Sequence, residues 1–299
     1  MKKRIIFSSI FLLCFLPFAW GQRHELGVQV GGSNLVGDIG STALINPFPG
    51  KFANISNEGI PFYGGILYRL NFNPHQSLRF NLGYNHIQFN DDYAKEAYRK
   101  NRQLWGSKSI YEASAVFEYN FLPINNEQKN PMWSPYIFGG VSALLMDTPM
   151  ITFVHDFNRL PDGTIINNPP ADGNDFSSKA TLSNTKKATF AIPFGIGLKY
   201  KFNYNWVIFG EVMFRPTFSD AVDNSSISSS SIKSTYNRDI LGTDGNSLLQ
   251  SEPYISVANA REQSYLGTKQ IGNTNSKDWV NTISVGISYA FGRPPCYCD

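Results

Sequence analysis

Along most of this chain every second residue is large and apolar. From Phe190 to Phe202 the even positions are Phe190, Ile192, Phe194, Ile196, Leu198, Tyr200 and Phe202, against Ala191, Pro193, Gly195, Gly197, Lys199 and Lys201. A period of two puts successive side chains on opposite faces of a strand. One face here is wholly bulky and the other is small or charged. The same rule governs residues 24–32, 62–72, 78–89, 109–121, 206–214 and the closing stretch to Phe291. Residues 135–146 are apolar on both faces, so the pattern makes them a strand without orienting it. Together these segments predict eight strands.

Which face points inward follows from residue size. A soluble sandwich buries its bulky face. Here the small and polar face suits a narrow interior, and the bulky face suits lipid. Aromatics also sit near both ends of several strands, as in Phe62 and Phe72 or Tyr111 and Phe121. That placement matches the interfacial girdles of transmembrane barrels. The expected fold is therefore all-β: an eight-stranded antiparallel transmembrane β-barrel, with short periplasmic turns and long extracellular loops. Connection lengths agree. Tight links at Asn73-Pro74-His75 and Asn203-Tyr204-Asn205 alternate with long ones near 147–186 and 219–277. The link at 122–133 is longer than a tight turn. An even strand number leaves both termini periplasmic, in an outer membrane. Residues 224–235 are serine-rich and read as solvated loop. Residues 91–104, which contain Ala94 to Lys100, favour helix.

The first 21 residues stand apart. Lys2, Lys3 and Arg4 precede the apolar run Ile5–Trp20, and Ala19 and Gly21 supply the small residues of a cleavage site. Residues 1–21 thus read as a secretory signal peptide rather than a membrane anchor. Residues 22–292 then form the barrel and 293–299 a periplasmic tail. Net charge is only +3, which gives no argument for nucleic-acid binding.

The inward face carries Arg69, Arg79, Glu112, Glu118, Lys199, Glu211 and Arg215. Eight strands leave room for little more than side chains. Mixed signs therefore favour a paired network that plugs the lumen over the alternative of a narrow conduction path, with Arg79 and Glu118 on neighbouring strands placed to pair. No catalytic set accompanies it, and the chain reads as non-enzymatic, with no cofactor. His155-Asp156 is a lone pair on an outer loop, without a serine motif or metal cluster. Asp172, Asn174 and Asp175 lack the rest of a calcium loop. Lys95, Arg99, Lys100 and Arg102 form one basic cluster: a solvated helical face, or a contact to lipopolysaccharide phosphates.

The end is unusual. After the aromatic Phe291 come Arg293, Pro294, Pro295, Cys296, Tyr297 and Cys298. The prolines make this tail extended and stiff. Pairing Cys296 with Cys298 would close a strained ring, and the periplasm is oxidising. An intermolecular disulfide and a frayed end both remain open readings.

The start HELGVQVGGSNLVGDIG, the strand PFYGGILYRLNF and the end SVGISYAFGRPPCYCD resemble PorG, the small outer-membrane barrel family of the type IX secretion system of Bacteroidota. The more specific pieces are Val36-Gly37-Asp38-Ile39-Gly40 and the terminal Cys-Tyr-Cys. The resemblance implies a non-enzymatic role: tethering a periplasmic ring of the PorK lipoprotein and PorN to the outer membrane. Residues 293–298 and the periplasmic turns would supply partner contacts, with the longer connection from Pro123 to Trp133 a second candidate. The other reading of a barrel of this shape is a generic surface protein that binds ligands or surfaces through its long outer loops.

Overall fold

The computed structural model describes residues 23–46, 59–124, 132–157, 176–203, 205–227, 231–236, 254–269, 271–272 and 277–292. The expected signal peptide and the tail 293–299 lie outside these, as do Asp172, Asn174 and Asp175. Among the described residues there are ten strands: β1 (Arg23–Val36), β2 (Phe62–Asn71), β3 (Gln76–Asn90), β4 (Trp105–Asn120), β5 (Met132–Phe157), β6 (Phe176–Ala191), β7 (Phe194–Lys201), β8 (Trp206–Phe214), β9 (Ile232–Tyr236) and β10 (Trp279–Phe291). Two helices, α1 (Ala97–Arg102) and α2 (Tyr254–Lys269), lie in the connections. No helix among the described residues is long and apolar enough to cross a membrane.

Pairing runs β1–β2–β3–β4–β5–β7–β8–β10 and returns to β1, so the sheet closes on itself. Every step of this ring is antiparallel. The two further strands differ from the sequence expectation of eight, and each has a local cause. The predicted strand 190–202 is cut at Pro193, which has no N–H to give the ladder. The chain kinks there: Pro193 O accepts from Gly140 N at 2.9 Å, and Ile192 N donates to Pro216 O at 3.1 Å. Below the break, β7 stays in the ring. Above it, β6 follows β5 out past the ring, from Ser142↔Ala191 to Phe157↔Phe176. The described residues of the expected long loop at 147–186 are thus strand, paired as the two arms of a tall hairpin. β9 arises from the connection read as solvated loop and adds in parallel to β5 at Ile151–His155.

The two rims differ. At one rim lie the start of β1, the end of β10 and the turns after β2 and β7. Asn73 builds the first of these turns, its Oδ1 accepting from His75 N at 2.9 Å and Gln76 N at 2.8 Å. A short polar side chain that caps its own backbone in this way fixes a tight turn. The other rim bears the far ends of β5 and β6 and, among the described residues, the segments 37–46, 90–104, 215–227, 231–236, 254–269 and 277–278.

Polarity is inverted relative to a soluble sheet. Leu26, Val28, Val30, Ile66, Leu82, Val141, Ile196 and Val285 point out and are each about half exposed or more, while Arg69, Arg79, Arg215 and Glu118 are wholly buried. β5, which the pattern left unoriented, turns Trp133, Ile137, Val141 and Leu145 outward and Tyr136, Phe138, Leu144 and Met146 inward. The interior is therefore not simply small and polar. Its rings fit because each faces a glycine across the ladder: Tyr136↔Gly197, Phe138↔Gly195 and Phe209↔Gly286. A Cβ on Gly197 would come within 2.5 Å of the Tyr136 ring, a distance real side chains do not tolerate.

This arrangement separates two glycine substitutions. Gly197→Val must displace Tyr136 and should cost about 1–3 kcal/mol. Gly64→Val meets nothing within 4 Å of its Cβ and should be close to neutral. Urea unfolding midpoints of the two purified variants check the contrast.

Candidate functional site

Strand alternation delivers the charged residues to one place. On β1, outward Leu26 and Val28 leave Glu25 and Gln29 inward; on β2, outward Ile66 and Tyr68 leave Arg69 inward. The seven inward charges expected from the sequence do converge, in two groups. Glu118 is the hub of the larger. It receives Arg69 Nε at 2.8 Å and Lys199 Nζ at 2.6 Å, and Arg79 Nε lies 3.0 Å away. Arg69 also reaches Glu25 at 2.5 Å, and Arg79 donates to Glu211 at 2.6 Å. In the second group Arg215 Nε donates to Glu112 at 2.9 Å. The expected Arg79–Glu118 pair is thus present as an ion pair. Its Nε is not aligned for a hydrogen bond, and the better-directed bonds of Arg79 go to Glu211.

Glu25 was missing from the sequence expectation, although the alternation of β1 would have found it. The inward aromatics were also missed. Each covers a cation: Tyr136 faces Lys199 at 4.5 Å, Phe138 faces Arg79 at 4.9 Å, Tyr63 faces Arg215 at 5.3 Å and Phe209 faces Arg69 at 5.4 Å. Desolvated cation–π contacts of this kind contribute about 2 kcal/mol. Above the charges, towards the long rim, the filling becomes apolar. Leu35, Ile87, Ile110, Leu144, Met146 and Val280 of the ring pack with Ile39 and Val222, which the connections push inward.

The connections above form a cap. Asp91, fully buried, is its first anchor. Its carboxylate accepts from Gly40 N at 2.9 Å, Leu104 N at 3.2 Å and Arg102 Nε at 2.8 Å. Burial alone would raise the Asp91 pKa, but Arg102 and the two N–H groups outweigh it and hold it below the ordinary carboxylate value. Arg99 Nη1 donates to Gly37 O at 2.9 Å and Gly40 O at 3.1 Å. The basic cluster is therefore split. Arg99 and Arg102 turn inward and pin the Gly37–Gly40 segment, leaving Lys95 and Lys100 exposed. The serine-rich segment begins in order as well: Ser225 and Ser226 hydroxyls donate to Asp220 O.

The tall hairpin carries a second ordered unit. His155 Nε2 lies 2.9 Å from Glu262 of α2, and its Nδ1 lies 2.9 Å from Ser178. The Phe153 ring packs edge-on against Tyr265 of α2. His155, fully buried, thus ties α2 and β9 to the hairpin. The expected partner Asp156 has a side chain outside the described residues, as have Arg293, Pro294, Pro295, Cys296, Tyr297 and Cys298. Among the described residues no group of three or more His, Cys, Asp or Glu could hold a metal.

These features define an all-β protein whose closed, mostly antiparallel sheet is apolar outside and ion-paired within. The chain belongs to the family described as a domain of unknown function, DUF6089, which matches residues 3–160. Solved structures similar to it include Ail, the attachment invasion locus protein of Yersinia pestis, at 12% identity, covering 91% of this chain and 99% of that one with a TM-score of 0.37. The outer membrane protein OprG from Pseudomonas aeruginosa is 12% identical, with 91% and 96% covered and a TM-score of 0.36. Neisserial surface protein A is 11% identical, with 91% and 97% covered and a TM-score of 0.35. No curated protein matches the chain.

Removing the hub should expose its weight. Glu118→Gln leaves Arg69, Arg79 and Lys199 competing for fewer anions in a site closed to water, and should cost about 3–5 kcal/mol. Glu96→Gln, on a partly exposed cap residue, should be close to neutral. Urea midpoints in the same detergent measure both.

Proposed function

We propose that the closed sheet is an eight-stranded outer-membrane β-barrel and that the protein is a non-enzymatic part of the type IX secretion machinery, of the PorG type. In this reading β6 is the outward continuation of β7, and β9 is an addition above the membrane, so eight segments cross. β2, β7 and β8 have 10, 8 and 9 residues, close to what a tilted strand needs to cross hydrocarbon. Tyr119, Trp133, Tyr200, Trp206 and Tyr289 ring the short-turn rim, each more than a third exposed, as interfacial aromatics do. The outward apolar belt carries the localisation, because only lipid leaves such a surface at low cost.

One observation carries the anchoring role: both ends of the wall, Arg23 and Phe291, lie on the rim of tight turns. The tail that starts at Arg293 therefore leaves from the face that would be periplasmic. In this reading Arg293, Pro294, Pro295, Cys296, Tyr297 and Cys298 are the residues that meet a ring lipoprotein and its partner, of the PorK and PorN type. Lipid and lipopolysaccharide surround the wall. A filled lumen makes the barrel a fixture rather than a conduit.

The ordered unit of β5, β6, β9 and α2 favours a second reading, a surface barrel that binds ligands above the membrane. Deleting residues 293–299 separates the two. Anchoring predicts an assembled, heat-modifiable barrel that no longer exports cargo and no longer co-purifies the ring lipoprotein. Normal export and co-purification from that variant would favour the surface barrel.

A further inference from the structure

The cap holds two buried carboxylates against each other. Asp223 is fully buried and Asp278 nearly so. Their oxygens approach one point, the place a Gly37 Cβ would occupy: Asp278 Oδ1 within 2.6 Å and Asp223 Oδ2 within 2.7 Å. Each also closes a different joint. Asp223 accepts from Ile39 N and from Ser225 N, both at 2.8 Å, and so binds the segment after β1 to the segment after β8. Asp278 accepts from Val222 N at 2.8 Å and binds the same segment to the entrance of β10. Ile39 and Val222, the residues these bonds position, are the ones that fill the mouth above the ion pairs.

Two ionised carboxylates this close, out of water, repel strongly, and one of them keeps its proton. We infer that the cap is a pH-operated latch, closed while Asp278, facing Asp223, holds a proton and loosened as that proton leaves. The surrounding charges do not replace it. Lys108 of β4 faces both carboxylates, but its ammonium donates to Ala221 O at 2.8 Å. Asp147 of β5 faces Lys108, while Asp220 faces Asp38, Lys277 and Asp223. Arg99 and Arg102 are committed to Gly37, Asp38 and Gly40 carbonyls and to Asp91. Burial, then the Asp223 charge, push Asp278 up to about 8, although the Val222 and Asp223 N–H groups oppose them.

The direction follows from proton counting. With the cap open, Asp278 ionises near its ordinary 3.8; closed, it holds its proton up to about 8. Between these values Asp278 makes the closed form bind more protons, so its contribution to closure weakens as pH rises and is spent above about pH 8. The open-to-closed ratio can rise by about tenfold per pH unit in that window. Opening withdraws Ile39 and Val222 and uncovers the apolar cluster at the mouth.

Spin labels test this in the whole protein. Ser107→Cys on β4 and Ile227→Cys on the cap are labelled in a Cys296→Ser, Cys298→Ser background, and distances are measured from pH 5 to 9. The latch predicts one narrow distance at pH 5 and a second, longer population growing towards pH 8. Asp278→Asn, which keeps the shape of the protonated acid, should stay narrow throughout. Asp223→Asn gives up one of its two N–H acceptors and need not stay narrow, but it removes the facing charge, so its distances should no longer change with pH; it serves if the first variant fails to assemble. A single narrow distance across the whole range in the parent protein overturns the proposal. So does a pH-dependent second population that persists in the Asn variants.

Discussion

Everything in this molecule turns on keeping charge inside a closed sheet without leaving any of it alone. An unpaired ion in a dry interior costs several kcal/mol, more than most single contacts return. Glu118 meets that constraint by taking three cations at once. Glu25 and Glu211 then take up the other ends of Arg69 and Arg79. Because these residues come from β1, β2, β3, β4, β7 and β8, the network links most of the ring from within. It also dictates the aromatics. A guanidinium that has spent its donors on carboxylates still has a planar face, and Phe138, Phe209 and Tyr63 cover those faces. The rings in turn require Gly195 and Gly286 opposite, so a glycine on one strand traces back to a charge on another.

That chain of requirements explains what could be read from the sequence. Alternation showed the strands, and it separated Arg69, Glu118 and Glu211 from Ile66, Phe117 and Ile208 without ambiguity. It failed where both faces are apolar. In β5 the inward Tyr136 and Phe138 look as lipophilic as the outward Trp133 and Ile137, because covering a cation and facing lipid call for the same residues. Strand count failed at Pro193, where the periodicity runs straight through a backbone break. β9 and α2 carried little signal. A five-residue edge strand and a helix with no strong apolar face are held by Phe153, His155 and Glu262, contacts distant in sequence.

The basic cluster shows a different limit. Lys95, Arg99, Lys100 and Arg102 read as one patch because spacing shows which side chains share a helix, not what lies beneath it. Asp91 and the carbonyls of Gly37 and Gly40 lie beneath two of them. The same carbonyls give physical content to the Val36–Gly40 element. Its glycines let the backbone pass between Asp223, Asp278 and the Phe89–Asn90 strand end, where a side chain would not fit.

The placement of rigidity then bears on where function can lie. A lumen closed by ion pairs, cation–π stacks and an apolar cluster has no low-cost rearrangement, since moving one charge strands its partner. The wall offers only a uniform apolar belt. Freedom to change remains at the rims, and the two rims are built differently. The tight-turn rim is short and holds both ends of the wall, which suits a fixed attachment. The opposite rim is held by isolated polar joints, each a few hydrogen bonds on one carboxylate. Joints of that kind respond to protonation in a way that a packed core does not. A closed sheet so built has a static middle and two rims of different construction.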